Sequence, residues 1–111
     1  MPDQPPGIDM RPDHWAIVKA ILQKHVADRE IWAFGSRTKG TAKPYSDLDL
    51  VIMGDAPLSL AVSAALGEAF AESELPWRVD VVDWATTSES FRKIIAAHRI
   101  LVHGPFGQQE T

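Results

Sequence analysis

A chain of 111 residues with 45% hydrophobic content has the size of one domain and enough apolar material for a core of its own. A formal net charge of −4 argues against a broad nucleic-acid-binding surface, and the lack of cysteine excludes disulfides and thiolate metal centres and fits a reducing, cytoplasmic setting. No stretch approaches the roughly 18 apolar residues of a membrane span, and MPDQPPGIDM has neither the basic start nor the apolar core of a secretory signal.

Residues 1–10, with three prolines and a glycine, read as a flexible lead-in, residues 11–104 as the folded domain and residues 105–111 as a flexible tail. A helix is predicted over 11–27, because proline is tolerated in a first turn and Trp15, Val18, Ile21, Leu22, His25 and Val26 recur at helical spacing. Glu30 to Phe34 (EIWAF) suits a strand ended by Gly35. Ser36 to Lys39 forms one helical turn stopped by Gly40, and Lys43-Pro44-Tyr45-Ser46 reads as a turn. Asp47 to Met53 (DLDLVIM) is a second strand. A helix over 58–74 carries Val62, Leu66, Ala69, Phe70 and Ser73 on its inner stripe, and Pro76 stops it. Residues 78–84 (RVDVVDW) alternate as a third strand, Ser88 caps a helix to Ala97 with Phe91, Ile94, Ile95 and His98 inward, and Ile100 to His103 is a last strand. The class is therefore α/β (α+β), with a small mixed sheet.

The segment FGSRTKGTAKPYSDLDLVI carries the chemistry. Strand side chains alternate, so Asp47 and Asp49 share one face while Leu48, Leu50 and Ile52 share the core face, and the aspartate face must be open to water or a cation. Asp80 of the third strand joins them if that strand lies beside the second. Three carboxylates on neighbouring strands repel, and a divalent cation with a preference for hard oxygen ligands, such as Mg²⁺, removes that cost. Asp83 competes with Asp80 as third carboxylate, but its parity with Val79 and Val81 turns it away on a regular strand. Gly35-Ser36 opens a turn whose free amides suit phosphate oxygens, with Arg37, Lys39 and Lys43 as countercharge. Ser46 could bond the strand start or orient Asp47. Tyr45 could line a nucleotide pocket or cover the turn. The histidines His14, His25, His98 and His103 lack metal-ligand spacing. Trp15 and Trp32 read as core, whereas Trp77 and Trp84 flank the third strand, and one could belong to a partner interface.

The Gly-Ser turn, a variable linker and Asp-x-Asp between apolar residues resemble the signature of the DNA polymerase beta-like nucleotidyltransferase superfamily. Small size and the RVDVVDW strand make the chain most similar to minimal nucleotidyltransferase (MNT) domains, the antitoxin partners of HEPN-domain toxins. The resemblance implies the polymerase beta-like palm fold with helices mainly on one face. It implies triphosphate binding at Gly35 and Ser36, beside which Arg37, Lys39 and Ser46 stand as further phosphate-binding candidates on their own chemistry. It further implies two Mg²⁺ ions on Asp47, Asp49 and Asp80, which are also the catalytic residues, and transfer of AMP from ATP to a tyrosine of a HEPN toxin in a type VII-like toxin–antitoxin pair. Two other functions remain open at this level: a non-catalytic antitoxin that neutralises a HEPN ribonuclease by covering it, and a small-molecule nucleotidyltransferase subunit.

Overall fold

The computed structural model describes residues 4–104. The expected flexible tail, 105–111, and residues 1–3 lie outside the described residues. In chain order the elements are α1 (Pro12–His25), β1 (Ile31–Phe34), α2 (Ser36–Lys39), β2 (Leu48–Ile52), α3 (Leu60–Ala71), β3 (Val79–Asp83), a 3-10 turn (Trp84–Thr86), α4 (Glu89–Ala97) and β4 (Arg99–His103). The strands form one sheet in the order β3-β2-β1-β4, with β1 antiparallel to β2 and β4 and with β2 parallel to β3. No helix among the described residues is long and apolar enough to cross a membrane.

The helix ends follow capping chemistry. Pro12 occupies the first turn of α1, where a missing N–H costs nothing. Ser59 Oγ accepts from the Val62 amide to start α3, and Ser88 Oγ accepts from the Phe91 amide to start α4. Helix α3 is shorter than its pattern predicts. It begins after Leu58, whose amide is taken by the Asp83 carboxylate, and it ends where the Ser73 hydroxyl takes the Phe70 carbonyl. Trp84 likewise leaves the predicted strand: the Thr86 and Thr87 hydroxyls bind the Asp83 carbonyl and turn the chain into the 3-10 segment.

The main core lies on one face of the sheet. Trp15, Val18 and Leu22 of α1 and Leu66 and Phe70 of α3 pack there against Ile31, Ala33, Leu48, Leu50 and Ile52. At about 25 cal/mol per Å² of buried apolar surface, this layer supplies most of the favourable folding term. The lead-in belongs to it as well. Ile8 and Met10 are buried in this core, the Gln4 side-chain amide donates to the Met10 carbonyl at 2.6 Å, and the Asp9 amide donates to the Arg37 carbonyl at 2.8 Å. Composition pointed to a loose segment, and two apolar side chains fix residues 4–10 in place.

The opposite face carries α4 and a smaller cluster of Phe34, Val51 and Ile95, flanked by Trp32, Met53, Val82, Trp84 and Phe91. The aspartate face is therefore not simply open to water: Val51 is fully buried on it. It is open only beyond the end of this cluster, at Asp49 and Asp80.

Candidate functional site

The parallel ladder sets Leu48 opposite Val79, Asp49 opposite Asp80 and Leu50 opposite Val81. Asp49 and Asp80 thus stand side by side on adjacent strands, about 4.8 Å apart in backbone spacing, on the face that α4 only partly covers. Burial pushes the Asp49 carboxyl up to about 6, and the negative charges of Asp80 and Asp47 push in the same direction. Asp47 immediately precedes β2 and leans toward Arg78, with Nη2 to Oδ2 at 3.7 Å. Asp83 faces the other way and accepts the Leu58 amide, as strand parity predicts.

Gly35 stands directly against this pair. Its φ is +84°, a region that favours glycine, and a Cβ there would collide with the Asp49 carboxylate. The turn that opens α2 is therefore held close to the carboxylates by the absence of a side chain. From α2, Thr38 Oγ1 donates to the Gly35 carbonyl at 2.7 Å, closing the turn, and Lys39 is exposed. The two acidic strands, this turn and α4 enclose a pocket of about 320 Å³ lined by Phe34, Gly35, Lys39, Asp49, Asp80, Val82, Phe91, Ile94 and His98.

Two members of the expected phosphate set do other work. Arg37 is buried, and its guanidinium donates to the carbonyls of Ser46 (3.0 Å), Asp9 (2.7 Å) and Pro44 (3.1 Å) while lying 4.4 Å from the centre of the Trp77 ring. Its donors tie the lead-in and the 43–46 turn to the core, so the expectation of a phosphate contact for Arg37 gives way to a framework role. Ser46 Oγ accepts from the Lys43 amide at 2.8 Å and closes the same turn. Trp77, a candidate for a partner surface, is buried beneath Arg37, and the exposed Tyr45 lines a different cleft, beside Arg37 and Trp77. Ser36, Asp47, Arg37 and Ser46 are not among the walls of the carboxylate pocket.

The residues that pattern reading missed come from α4. Phe91 turns inward with Ile95, as the spacing predicts, and packs against the cluster of Phe34, Val51 and Ile95, whereas Ile94 and His98, expected inward too, stay exposed. Only Ile95 is fully buried; Ile94 remains 59% exposed at the pocket, and His98 closes its rim with Nε2 on the Thr38 carbonyl at 2.5 Å. A carbonyl only accepts, so Nε2 carries the proton in that bond. The spacing 91, 94, 98 is one helical face, a signal available in the sequence but indistinguishable there from a core stripe.

The carboxylate pair suits a hard cation: its donors are oxygens, and Asp49 is raised by burial and then by the neighbouring negative charges of Asp80 and Asp47. As they stand, no three acidic or histidine side chains among the described residues converge into a ready cation cage. Asp47 lies within ion-pair distance of Arg78. That pair is exposed and weak, so Asp47 is readily exchanged to another partner.

Adjacent parallel strands thus bring paired carboxylates beside a glycine-opened turn. Residues 16–102 match the family model described as "Nucleotidyltransferase domain", and the chain belongs to that family. It is 59% identical over 88 residues to the Haemophilus influenzae protein named "Probable protein adenylyltransferase MntA", covering 79% of this chain and 77% of that one. In fold it is similar to a chain of a toxin–antitoxin crystal structure with AMP-PNP (TM-score 0.68, 23% identity, 86% of this chain and 77% of the other). A second likeness is to a chain of the structure of a tri-AMPylated Shewanella oneidensis HEPN toxin in complex with MNT antitoxin (TM-score 0.64, 22% identity, 91% and 78%). At these identities the two structures establish the fold.

Proposed function

We propose that this chain transfers AMP from ATP to a hydroxyl group, most simply a tyrosine, of a HEPN-domain toxin in the cytoplasm, and thereby acts as its antitoxin. The observation that carries the reading is the register pairing of Asp49 with Asp80 beside the Gly35 turn, in a chain 59% identical to a protein named as an adenylyltransferase. The complexes with a HEPN toxin and with AMP-PNP among the fold relatives supply the partner class and the nucleotide.

In this reading Asp49 and Asp80, joined by Asp47, would hold Mg²⁺, which when bound supplies neutralising charge for the phosphates and for the attacking and leaving oxygens. Gly35 would let the backbone approach the triphosphate, with Ser36 beside it, and Lys39 would supply countercharge to the phosphates. The tyrosine oxygen bonds to the α-phosphorus, the bond from that phosphorus to the bridging oxygen breaks, and pyrophosphate leaves. Asp80, which is exposed on the edge strand β3, would accept the hydroxyl proton in this reading. The remaining barrier reduction comes from positioning and charge stabilisation.

The test is transfer of label from α-labelled ATP with Mg²⁺ to a HEPN-domain protein from the same cell, comparing wild type with Asp49→Asn. Labelling by the wild type alone supports the proposal. A partner bound equally by both proteins and labelled by neither would contradict it and favour neutralisation by covering alone.

A further inference from the structure

The chain holds one tyrosine, Tyr45, and a buried arginine fixes the turn that presents it. Tyr45 is 75% exposed, and among the described residues its hydroxyl is engaged in no hydrogen bond. The phenolic oxygen is therefore free to react, as donor or nucleophile. The backbone around it is clamped. The Arg37 guanidinium donates through Nη2 to the Pro44 carbonyl at 3.1 Å and through Nε to the Ser46 carbonyl at 3.0 Å, the residues before and after Tyr45. The Ser46 amide donates to the Lys43 carbonyl at 3.0 Å, and the Ser46 hydroxyl accepts from the Lys43 amide at 2.8 Å, which closes the same turn. The clamps hold the chain on either side of Tyr45 and leave its ring outside. Lys43 and Pro44 are exposed as well, so a second molecule can reach the phenol without displacing the fold.

Resting on the reading of the chain as an enzyme that joins AMP to a tyrosine hydroxyl, we infer that Tyr45 is itself an acceptor, modified by a second copy of this chain. Its own carboxylates are the wrong ones. Tyr45 lines a cleft of about 450 Å³ with Arg11, His14, Glu74 and Trp77, and no residue of that cleft lines the pocket of Asp49 and Asp80. The bonds to the Pro44 and Ser46 carbonyls hold it on that side, so transfer within one chain would first have to break the turn. Transfer between copies needs no such break, because the exposed ring of one molecule meets the carboxylate pocket of the other. An acceptor already held in one backbone conformation loses little freedom on docking. The Tyr45 oxygen of one copy bonds to the α-phosphorus of ATP held by the other. The bond from that phosphorus to the bridging oxygen breaks, its electron pair leaves with pyrophosphate, and the phenolic proton passes to Asp80 of the catalysing copy.

The experiment incubates the full chain with α-labelled ATP and Mg²⁺, with and without the HEPN-domain protein. The samples are wild type, Tyr45→Phe, and a mixture of Tyr45→Phe with an affinity-tagged Asp49→Asn chain. In the mixture one chain keeps the carboxylates without the acceptor, and the other keeps the acceptor without Asp49. The inference expects label on wild type, mapped to Tyr45 by peptide mass spectrometry, complete loss of self-labelling in Tyr45→Phe, and label on the tagged chain in the mixture. Tyr45→Phe removes one exposed hydroxyl, so it should label the HEPN-domain protein at the wild-type rate. A wild type that labels the HEPN-domain protein and not itself overturns the inference and leaves the proposed function standing. Self-labelling retained by Tyr45→Phe overturns it as well, and so does a tagged chain that stays unlabelled beside a labelled wild type. A Tyr45→Phe chain that no longer labels the HEPN-domain protein would place Tyr45 in the catalysing site and overturn it too. If wild type labels neither protein, the underlying reading falls, and the inference falls with it.

Discussion

The two faces of the sheet use the same strands for opposite ends. On β2, Leu48, Leu50 and Ile52 point toward α1 and α3 and are fully buried, whereas Asp49 points to the α4 face beside Asp80. One face is closed by two helices and the packed lead-in. The other is covered by one helix of nine residues over a cluster of three buried side chains, and it remains open where the carboxylates stand. The difference shows how a small domain tolerates a repulsive cluster: the larger face holds the fold, and the smaller face carries charge that stability alone would remove.

That division predicts a double dissociation, which is the largest effect expected. Asp80→Asn should lower AMP transfer by roughly 10²–10³-fold and shift unfolding stability by no more than about 0.5 kcal/mol, because the residue is exposed. Leu50→Ala, on the strand beside it, should cost about 3 kcal/mol in urea unfolding. Transfer rates and denaturation midpoints for both variants check this, and a large stability loss in Asp80→Asn would break the comparison.

A smaller effect separates framework from site within the motif itself. Arg37→Ala removes three carbonyl hydrogen bonds and the contact with Trp77, so it should destabilise by about 2 kcal/mol. Nucleotide affinity, measured well below the unfolding midpoint, should remain close to that of wild type. A stable variant that no longer binds nucleotide would return Arg37 to the phosphate set.

Much of this arrangement was legible in the chain. Periodicity located every strand and helix to within a few residues, and parity alone separated Asp80 from Asp83, because period-two alternation survives in a regular five-residue strand. Three features were not legible, each for a physical reason. Arg37 sits in a cationic loop next to a phosphate-type turn, and only tertiary structure brings the carbonyls of Asp9, Pro44 and Ser46 within its reach. Ile8 and Met10 lie among prolines and a glycine, where local propensity says loop and gives no sign that two side chains reach the core. The stripe of α4 reads as one buried face, but the carboxylates interrupt the apolar surface it would cover, so Ile95 packs while Ile94 and His98 stay at the opening.

The account rests most directly on Asp49 as a residue retained for chemistry against the interests of the fold. Its carboxyl stands at about 6 in the folded protein against an ordinary 3.8. A raised folded-state value means that its protonated form favours folding, a contribution complete below the ordinary value and lost as pH rises through about 6. Metal-free thermal melts of wild type and Asp49→Asn from pH 4 to 8, paired with transfer assays on the same samples, measure both sides of the claim. The account predicts that Asp49→Asn loses transfer yet melts above wild type at pH 7, by the equivalent of about 1 kcal/mol after allowance for solvent screening, with the gap closing toward pH 4. A variant that melts below wild type at pH 7, or one that still transfers AMP, would contradict it.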